Sequence, residues 1–251
     1  MEKIKIMICG SGGAMGKMLA SCIEQSDNLE VVCGFDTKPN TSDTFETYTS
    51  LNDVGEQIDC VIDFSHYTAS SAITAFCVAK NLPLVSATTG LDAQAEETIR
   101  EASQKIPVFR SKNFSYGINV LIKLSVQAAK LLGDFDAEII EAHHNKKADA
   151  PSGTAQMLAE AVMAAEADER RLVYGRYGSD CKRKKDEITV HSLRGGTIPG
   201  EHEIVFAGED EIIRISHSAL SKKVFAYGAM KAAAYITGRQ SGYYTMEDML
   251  S

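Results

Sequence analysis

Residues 4–36 constrain the fold more than any other stretch. Ile4-Lys5-Ile6-Met7-Ile8-Cys9 is a short, largely apolar run, followed at once by Gly10-Ser11-Gly12-Gly13-Ala14-Met15-Gly16. Met15, Met18, Leu19, Cys22 and Ile23 then recur at i, i+3, i+4, i+7 and i+8, the stripe of a helix lying on a sheet. A second apolar run, Leu29 to Phe35, ends at Asp36, twenty residues after Gly16. Glycines let the backbone turn tightly and approach a pyrophosphate, the helix N-terminus holds its charge, and the acid accepts from a ribose hydroxyl. Together these are the first unit of a Rossmann-type dinucleotide-binding domain. The spelling is G-x-x-G-x-x-G rather than G-x-G-x-x-G, because position 15 is Met. The competing readings are a structural tight turn, or a different nucleotide-like ligand such as a methyl donor. Asp36 for its part could simply cap a turn. An acid there favours NAD over NADP, but Lys38 offers a positive partner for a 2′-phosphate, so both nucleotides stay open.

The βα rhythm continues past a polar stretch, Thr37 to Asn52, that reads as loop. Strands are expected at Cys60–Ser65, Pro83–Ala87 and Pro107–Arg110, with helices from about Ser65 to Lys80 and from Asp92 to Gln104. Such alternation builds a parallel sheet, and ligands of open α/β sheets bind beyond the carboxyl ends of the strands. The Gly10 turn, Asp36, Ser65, Thr88-Thr89 and Asn113-Phe114 therefore share one edge, although Ser65 and Thr88 are equally ordinary helix caps. A helix over Gly117–Leu132 places Leu121, Leu124, Ala128, Leu131 and Leu132 on one face. After it the rhythm stops. A helix over Thr154–Arg171, a basic loop over Tyr174–Lys185 and strands at Glu187–Leu193, Glu203–Phe206 and Glu211–His217 suggest a smaller α+β domain with an antiparallel or mixed sheet. A final helix, Lys222–Thr237, returns to the first domain. The expected division is 1–114 with 222–251 for the dinucleotide domain and 115–221 for substrate binding and oligomerisation.

Net charge is -8, so no basic field exists to hold nucleic acid. The basic run Lys182-Arg183-Lys184-Lys185 reads as a solvated loop rather than a partner patch. The six cysteines are scattered without a C-x-x-C pair and read as reduced core thiols. The N-terminus enters a strand at once, and no apolar run reaches the length of a membrane span; a cytoplasmic protein is expected.

The chemistry concentrates in Glu141-Ala142-His143-His144-Asn145-Lys146-Lys147-Ala148-Asp149-Ala150-Pro151-Ser152-Gly153-Thr154-Ala155, where a strand pattern gives way to a helix. Imidazoles and ammonium groups donate protons, and a helix start offers amide N–H groups to a carboxylate. Adjacent His143 and His144 point to opposite sides of an extended segment, so they have different roles. A metal site would need converging ligands, and only Glu141, Asp149 and the imidazoles lie near in sequence; no metal is expected. Lys146 and Lys147 read equally as surface charge, and Pro151-Ser152 as ordinary helix-start residues.

The turn Gly10–Gly16, Thr88-Thr89-Gly90, Asn113-Phe114-Ser115-x-Gly117-x-Asn119, the run from Glu141 to Ala155 and Arg194-Gly195-Gly196 together resemble the 4-hydroxy-tetrahydrodipicolinate reductases, along essentially the whole chain. The resemblance implies reduction of a cyclic dicarboxylate, in diaminopimelate and lysine synthesis, by NADH or NADPH. It implies His143 as proton donor/acceptor and Lys147 as proton donor, with His144, Gly153 and Thr154 holding a substrate carboxylate. It assigns cofactor contacts to Gly10, Ser11, Gly12, Gly13, Ala14, Met15, Asp36, Ala87, Thr88, Thr89, Ser111, Lys112, Asn113 and Phe114, and implies a homotetramer built through the second domain's sheet. Two positions depart from many members: Ala87 stands where glycine is usual, and Thr37 where some carry Arg. Another two-domain nicotinamide-dependent oxidoreductase and a non-catalytic dinucleotide sensor are the alternatives, and a positioned proton donor argues against the sensor.

Overall fold

The computed structural model describes residues 2–38, 44–165 and 170–251. The chain opens with β1 (Ile4–Cys9), α1 (Ala14–Glu24) and β2 (Leu29–Phe35). There follow β3 (Glu46–Tyr48), β4 (Cys60–Asp63), α2 (Ser70–Lys80), β5 (Leu84–Ser86), α3 (Ala93–Ala102) and β6 (Pro107–Arg110). The second stretch comprises α4 (Tyr116–Leu131), β7 (Asp136–His143), α5 (Gly153–Ala165), β8 (Arg171–Tyr174), β9 (Glu187–Arg194), β10 (Glu201–Ala207) and β11 (Ile212–Ser218). The chain closes with α6 (Lys223–Ile236), β12 (Gly242–Tyr244) and α7 (Met246–Met249). Two compact units result: Met1–Tyr116 with Lys223–Ser251, and Gly117–Lys222.

In the first unit seven strands run in the order β12-β6-β5-β4-β1-β2-β3, every neighbouring pair parallel. Both faces are covered, which is why Ile6 and Ile8 join one apolar cluster and Met7 and Cys9 the other. The first cluster includes Leu19, Cys22 and Ile23 of α1 and Ala226, Ala229, Ala233 and Ile236 of α6. Helix ends follow local chemistry. Asp92 caps α3 by accepting from the Ala95 N–H at 2.8 Å, and Asn81 ends α2 in the left-handed conformation at φ 53.

The second unit has a mixed sheet in the order β11-β10-β7-β9-β8; β10 is antiparallel to β11 and β7, while β7-β9-β8 are parallel. One face, bearing Ala137, Ile139, Ile188, Val190, Ile204 and Phe206, packs against Ile118 and Leu121 of α4 and Leu158 and Val162 of α5.

Several expectations are corrected. The polar stretch 37–52 contains β3 and a 3-10 turn at Leu51–Asp53, with 39–43 outside the described residues. A three-residue edge strand is too short to show alternation. The helix expected to reach Arg171 is seen to Ala165; 166–169 lie outside the described residues, and Arg171 begins β8. β12 and α7 are short elements beyond the final helix that the sequence pattern does not mark. On α4 the buried positions are Ile118, Leu121, Ser125 and Ala129, whereas Leu124 and Leu131 are exposed. The apolar stripe pointed to the large side chains, but close packing selects small ones, and Ser125 satisfies its hydroxyl on the Leu121 carbonyl at 2.7 Å. Five cysteines are buried, but Cys181 is exposed. In the basic run the three lysines are exposed, whereas Arg183 is half-buried and donates to Asp136 at 2.5 Å and Glu138 at 3.2 Å.

Candidate active site

In the second unit, register assembles the polar cluster. Ala137, Ile139, Glu141 and His143 alternate onto the helix-covered face of β7, and strand pairing sets Ser192 and Arg194 of β9 beside Glu141 and His143. On the other side His202 of β10 pairs with Glu141. Three strands thus carry apolar side chains under the helices and exchange them for polar ones at one end, next to the start of α5.

Glu141 is fully buried and all four of its acceptor directions are used. Arg194 donates Nη2 to Oε1 at 2.7 Å and Nη1 to Oε2 at 2.9 Å; His143 Nδ1 lies 2.6 Å from Oε2, and the Ser152 N–H donates to Oε1 at 3.2 Å. Burial opposes ionisation, but hydrogen bonds from Arg194, Ser192, His143 and Ser152 prevail and hold the carboxyl down at about 2. An ionised Glu141 accepts only, so Nδ1 of His143 carries the hydrogen and a neutral ring presents its lone pair at Nε2. Gly200 leaves room there: a Cβ on it would stand 3.1 Å from Nε2.

Ser152 caps α5, its Oγ accepting from the Ala155 N–H at 3.2 Å while lying 3.0 Å from His202 Nε2. Burial, with the His143 ring edge-on at 5.2 Å, pushes the His202 imidazole down to about 4. His202 is therefore neutral at pH 7. Gly153 and Thr154 occupy the first two positions of α5, the positive end of its dipole. The loop after β7 is pinned to the turn after β9: His144 N–H donates to Ile198 O at 2.8 Å and Asn145 N–H to Gly196 O at 3.2 Å. Lys147 is half-buried, its Nζ 2.9 Å from Asp149 Oδ1, whereas Lys146 is exposed. His144 is half-buried. Among the described residues no group of three or more His, Cys, Asp or Glu side chains is arranged to hold a metal ion.

In the first unit the parallel sheet brings the Gly10 turn, Asp36, Ser65, Ala87–Thr89 and Ser111–Phe114 to one edge, after β1, β2, β4, β5 and β6. The strand order reverses between β1 and β4, and the glycine turn follows β1 there. Gly10 has φ +78, and a Cβ on it would come 2.7 Å from Phe64 O; one on Gly16 would overlap the Gly10 carbonyl. α1 starts at Ala14 with no capping side chain and no acid in its first turn, which suits an incoming anion. Asp36 accepts from the Gly12 N–H at 2.9 Å and from Thr37 Oγ1 at 3.3 Å. Ser11 is buried with Oγ 3.5 Å from Thr47 Oγ1. Thr88 donates to Ser65 O at 3.2 Å, Ser111 Oγ to Asn113 O at 2.8 Å, and Asn113 Oδ1 accepts from the Ser115 N–H at 2.8 Å. Phe114 is buried against Phe64 and Phe109. These residues fit a dinucleotide.

Family models described as dihydrodipicolinate reductase, N-terminus, and dihydrodipicolinate reductase, C-terminus, match residues 4–114 and 117–250. The chain belongs to the dihydrodipicolinate reductase family. It is 48% identical to the 4-hydroxy-tetrahydrodipicolinate reductase of Caldanaerobacter subterraneus subsp. tengcongensis, over 98% of each chain. It is 41% identical to that of Clostridium tetani, over 99% of this chain and 97% of the other. A dipicolinate-bound dihydrodipicolinate reductase from Paenisporosarcina sp. TG-14 shares the fold with a TM-score of 0.84 at 22% identity, covering 100% of both chains. A probable dehydrogenase from Thermotoga maritima gives 0.64 at 12% identity, over 98% of this chain and 92% of that one. As a family member the chain is an oxidoreductase with an N-terminal dinucleotide-binding domain. No helix among the described residues is long and apolar enough to cross a membrane.

Sequence reasoning alone did not select Glu141, Ser152, Arg194 and His202 as site residues. The signal was present in the strands: Ala137-x-Ile139-x-Glu141-x-His143 and Ile188-x-Val190-x-Ser192-x-Arg194 run one face from apolar to polar, and His202-x-Ile204-x-Phe206 runs it from polar to apolar. Reading it required knowing which strands are neighbours.

Proposed function

We propose that this chain reduces 4-hydroxy-tetrahydrodipicolinate to tetrahydrodipicolinate, the family's step in diaminopimelate and lysine synthesis, with His143 and Lys147 managing the protons. The observation that carries the reading is the buried Glu141–His143 hydrogen bond of 2.6 Å, clamped by Arg194 beside a helix N-terminus. A nicotinamide, when bound, supplies hydride to an unsaturated carbon. The second unit's residues do the rest. The α5 amides of Gly153 and Thr154, with His144, hold one substrate carboxylate by hydrogen bonds and the helix dipole. Lys147 donates the proton that balances the hydride, and loss of the hydroxyl as water calls for a second transfer, which His143 Nε2 serves as acceptor and then donor. Glu141 keeps that ring in one tautomer. Gly10 to Met15 and Asp36 take the pyrophosphate and ribose, and Ala87, Thr88, Thr89 and Ser111 to Phe114 face the nicotinamide half. Asp36 opposes a 2′-phosphate and Lys38 attracts one, so NADH and NADPH both serve. The expected assembly is a cytoplasmic homotetramer through the second sheet, whose other face exposes Ile140 and Leu193.

The test supplies the condensation product of pyruvate and aspartate semialdehyde and follows the absorbance of NADH and of NADPH, with pyridine-2,6-dicarboxylate as inhibitor. His143→Ala and Lys147→Ala each lower kcat by about 10² or more, and a chelator leaves activity unchanged. No oxidation of either nucleotide overturns the assignment; near-normal turnover in both variants removes their roles.

A further inference from the structure

Arg110 at the end of β6 is only 6% exposed, and it points along the strand ends rather than into solvent. Its Nη1 donates to Thr88 O at 2.8 Å, Ser86 O at 3.2 Å and Ser111 O at 3.4 Å. Its other edge grips Glu96 of α3 at two points, Nη2 to Oε1 at 2.6 Å and Nε to Oε2 at 3.1 Å. Those hydrogen bonds hold the Glu96 carboxyl below its ordinary range, so the pair is charged at pH 7. One guanidinium therefore joins the loop after β5, the loop after β6 and the start of α3. The tie extends further, because Thr88 Oγ1 reaches Ser65 O after β4 and the Ala87 N–H donates to Asp63 O at 2.9 Å. A cavity lined by Thr89, Asp92, Glu96, Arg110, Lys112 and Tyr243 opens beside this tie.

We infer that Arg110, backed by Glu96, is a positioning residue that latches the two loops facing the nicotinamide half of the dinucleotide. The inference rests on the cofactor reading given above. In a doubly wound sheet one half of a dinucleotide lies over β1-β2 and the other beyond the switch point, over β4-β5-β6. Arg110 touches only the second set, so it acts on one half of the ligand. Its planar fork can serve carbonyls with one nitrogen and a carboxylate with the other two, which an ammonium cannot do. Without it the Ser86 and Thr88 carbonyls lose their shared charged donor in a buried place, and the loops that carry Ala87 to Thr89 and Ser111 to Phe114 are no longer fixed to each other.

The test compares binding of NADH and of ADP-ribose, which lacks the nicotinamide, to wild-type protein and to Arg110→Met, with circular dichroism as the folding control. Wild-type protein binds NADH more tightly than ADP-ribose. In Arg110→Met the NADH Kd rises about tenfold or more, the worth of a lost charged hydrogen bond, while ADP-ribose binding stays within about twofold. Arg110→Lys falls between the two, and it carries the same comparison should Arg110→Met not fold. Equal weakening of both ligands, or no change in either, overturns the latch. Wild-type protein that does not distinguish the two ligands instead removes the loop assignment itself, and the latch's role with it.

Discussion

Replacing Glu141 with Gln tests the centre of the polar cluster. Glutamine is close in shape to a protonated glutamate, so the cost follows from the proton equilibrium. The folded protein depresses the carboxyl from 4.5 to about 2. At ~1.4 kcal/mol per pKa unit this is about 3 kcal/mol in favour of the ionised form. Geometry gives a similar figure. Whichever way the amide turns, its NH2 faces two donors, either Arg194 Nη2 with Ser152 N–H or Arg194 Nη1 with His143 Nδ1. Breaking a buried ion pair from one side costs roughly 3–5 kcal/mol. Urea unfolding followed by circular dichroism at pH 7 is the assay, and Glu141→Gln is expected to lie about 3 kcal/mol below wild type. A depressed carboxyl contributes stability that is complete above the unfolded pKa and is lost as pH falls through the folded one. The gap therefore holds above pH 4.5 and closes toward pH 2, because the wild-type residue then also carries a proton. A gap below about 1 kcal/mol at pH 7, or one that does not narrow in acid, refutes the argument.

Two further outcomes follow from the same geometry. His202 is held neutral by burial with its pKa near 4 against the ordinary 6.5, so wild-type stability falls as pH drops from 6.5 to 4, by about 3 kcal/mol from this group alone. His202→Asn flattens the melting-temperature profile in that window, leaving the smaller slope of His217, which burial also lowers; an unchanged slope rejects the neutral buried imidazole. Gly10→Ala places a methyl group 2.7 Å from Phe64 O at a φ of +78, a strain on the order of 1–3 kcal/mol or more at the glycine turn. NADH affinity is expected to drop about tenfold or more while pyridine-2,6-dicarboxylate binding persists, and calorimetry showing an unaltered NADH Kd contradicts the turn's role.

The sequence by itself determined the architecture, because the features that define it are local. The glycine turn between Cys9 and Ala14, the acid after β2 and the alternation of short apolar runs with helical stripes each depend on residues close along the chain. The concentration of His143, Lys147 and a helix start within fifteen residues was legible for the same reason. Short edge elements such as β3 and β12 were not, since three residues show no period. Nor was the core face of α4, where contact distance rather than hydrophobicity put Ser125 and Ala129 inside. Only the tertiary structure decided what surrounds His143. Glu141, Arg194 and His202 come from three strands, and their meeting depends on β7 lying parallel to β9 and antiparallel to β10 in one particular register. A slip of one residue would send Glu141 and His143 to the opposite face of the sheet. Likewise, only the placing of β5 beside β6 turns Arg110 from the last residue of an apolar strand into a bond between two loops. Side-chain identity is written along the chain, whereas the pairing of distant strands fixes which charges share a buried space and so which of them can ionise.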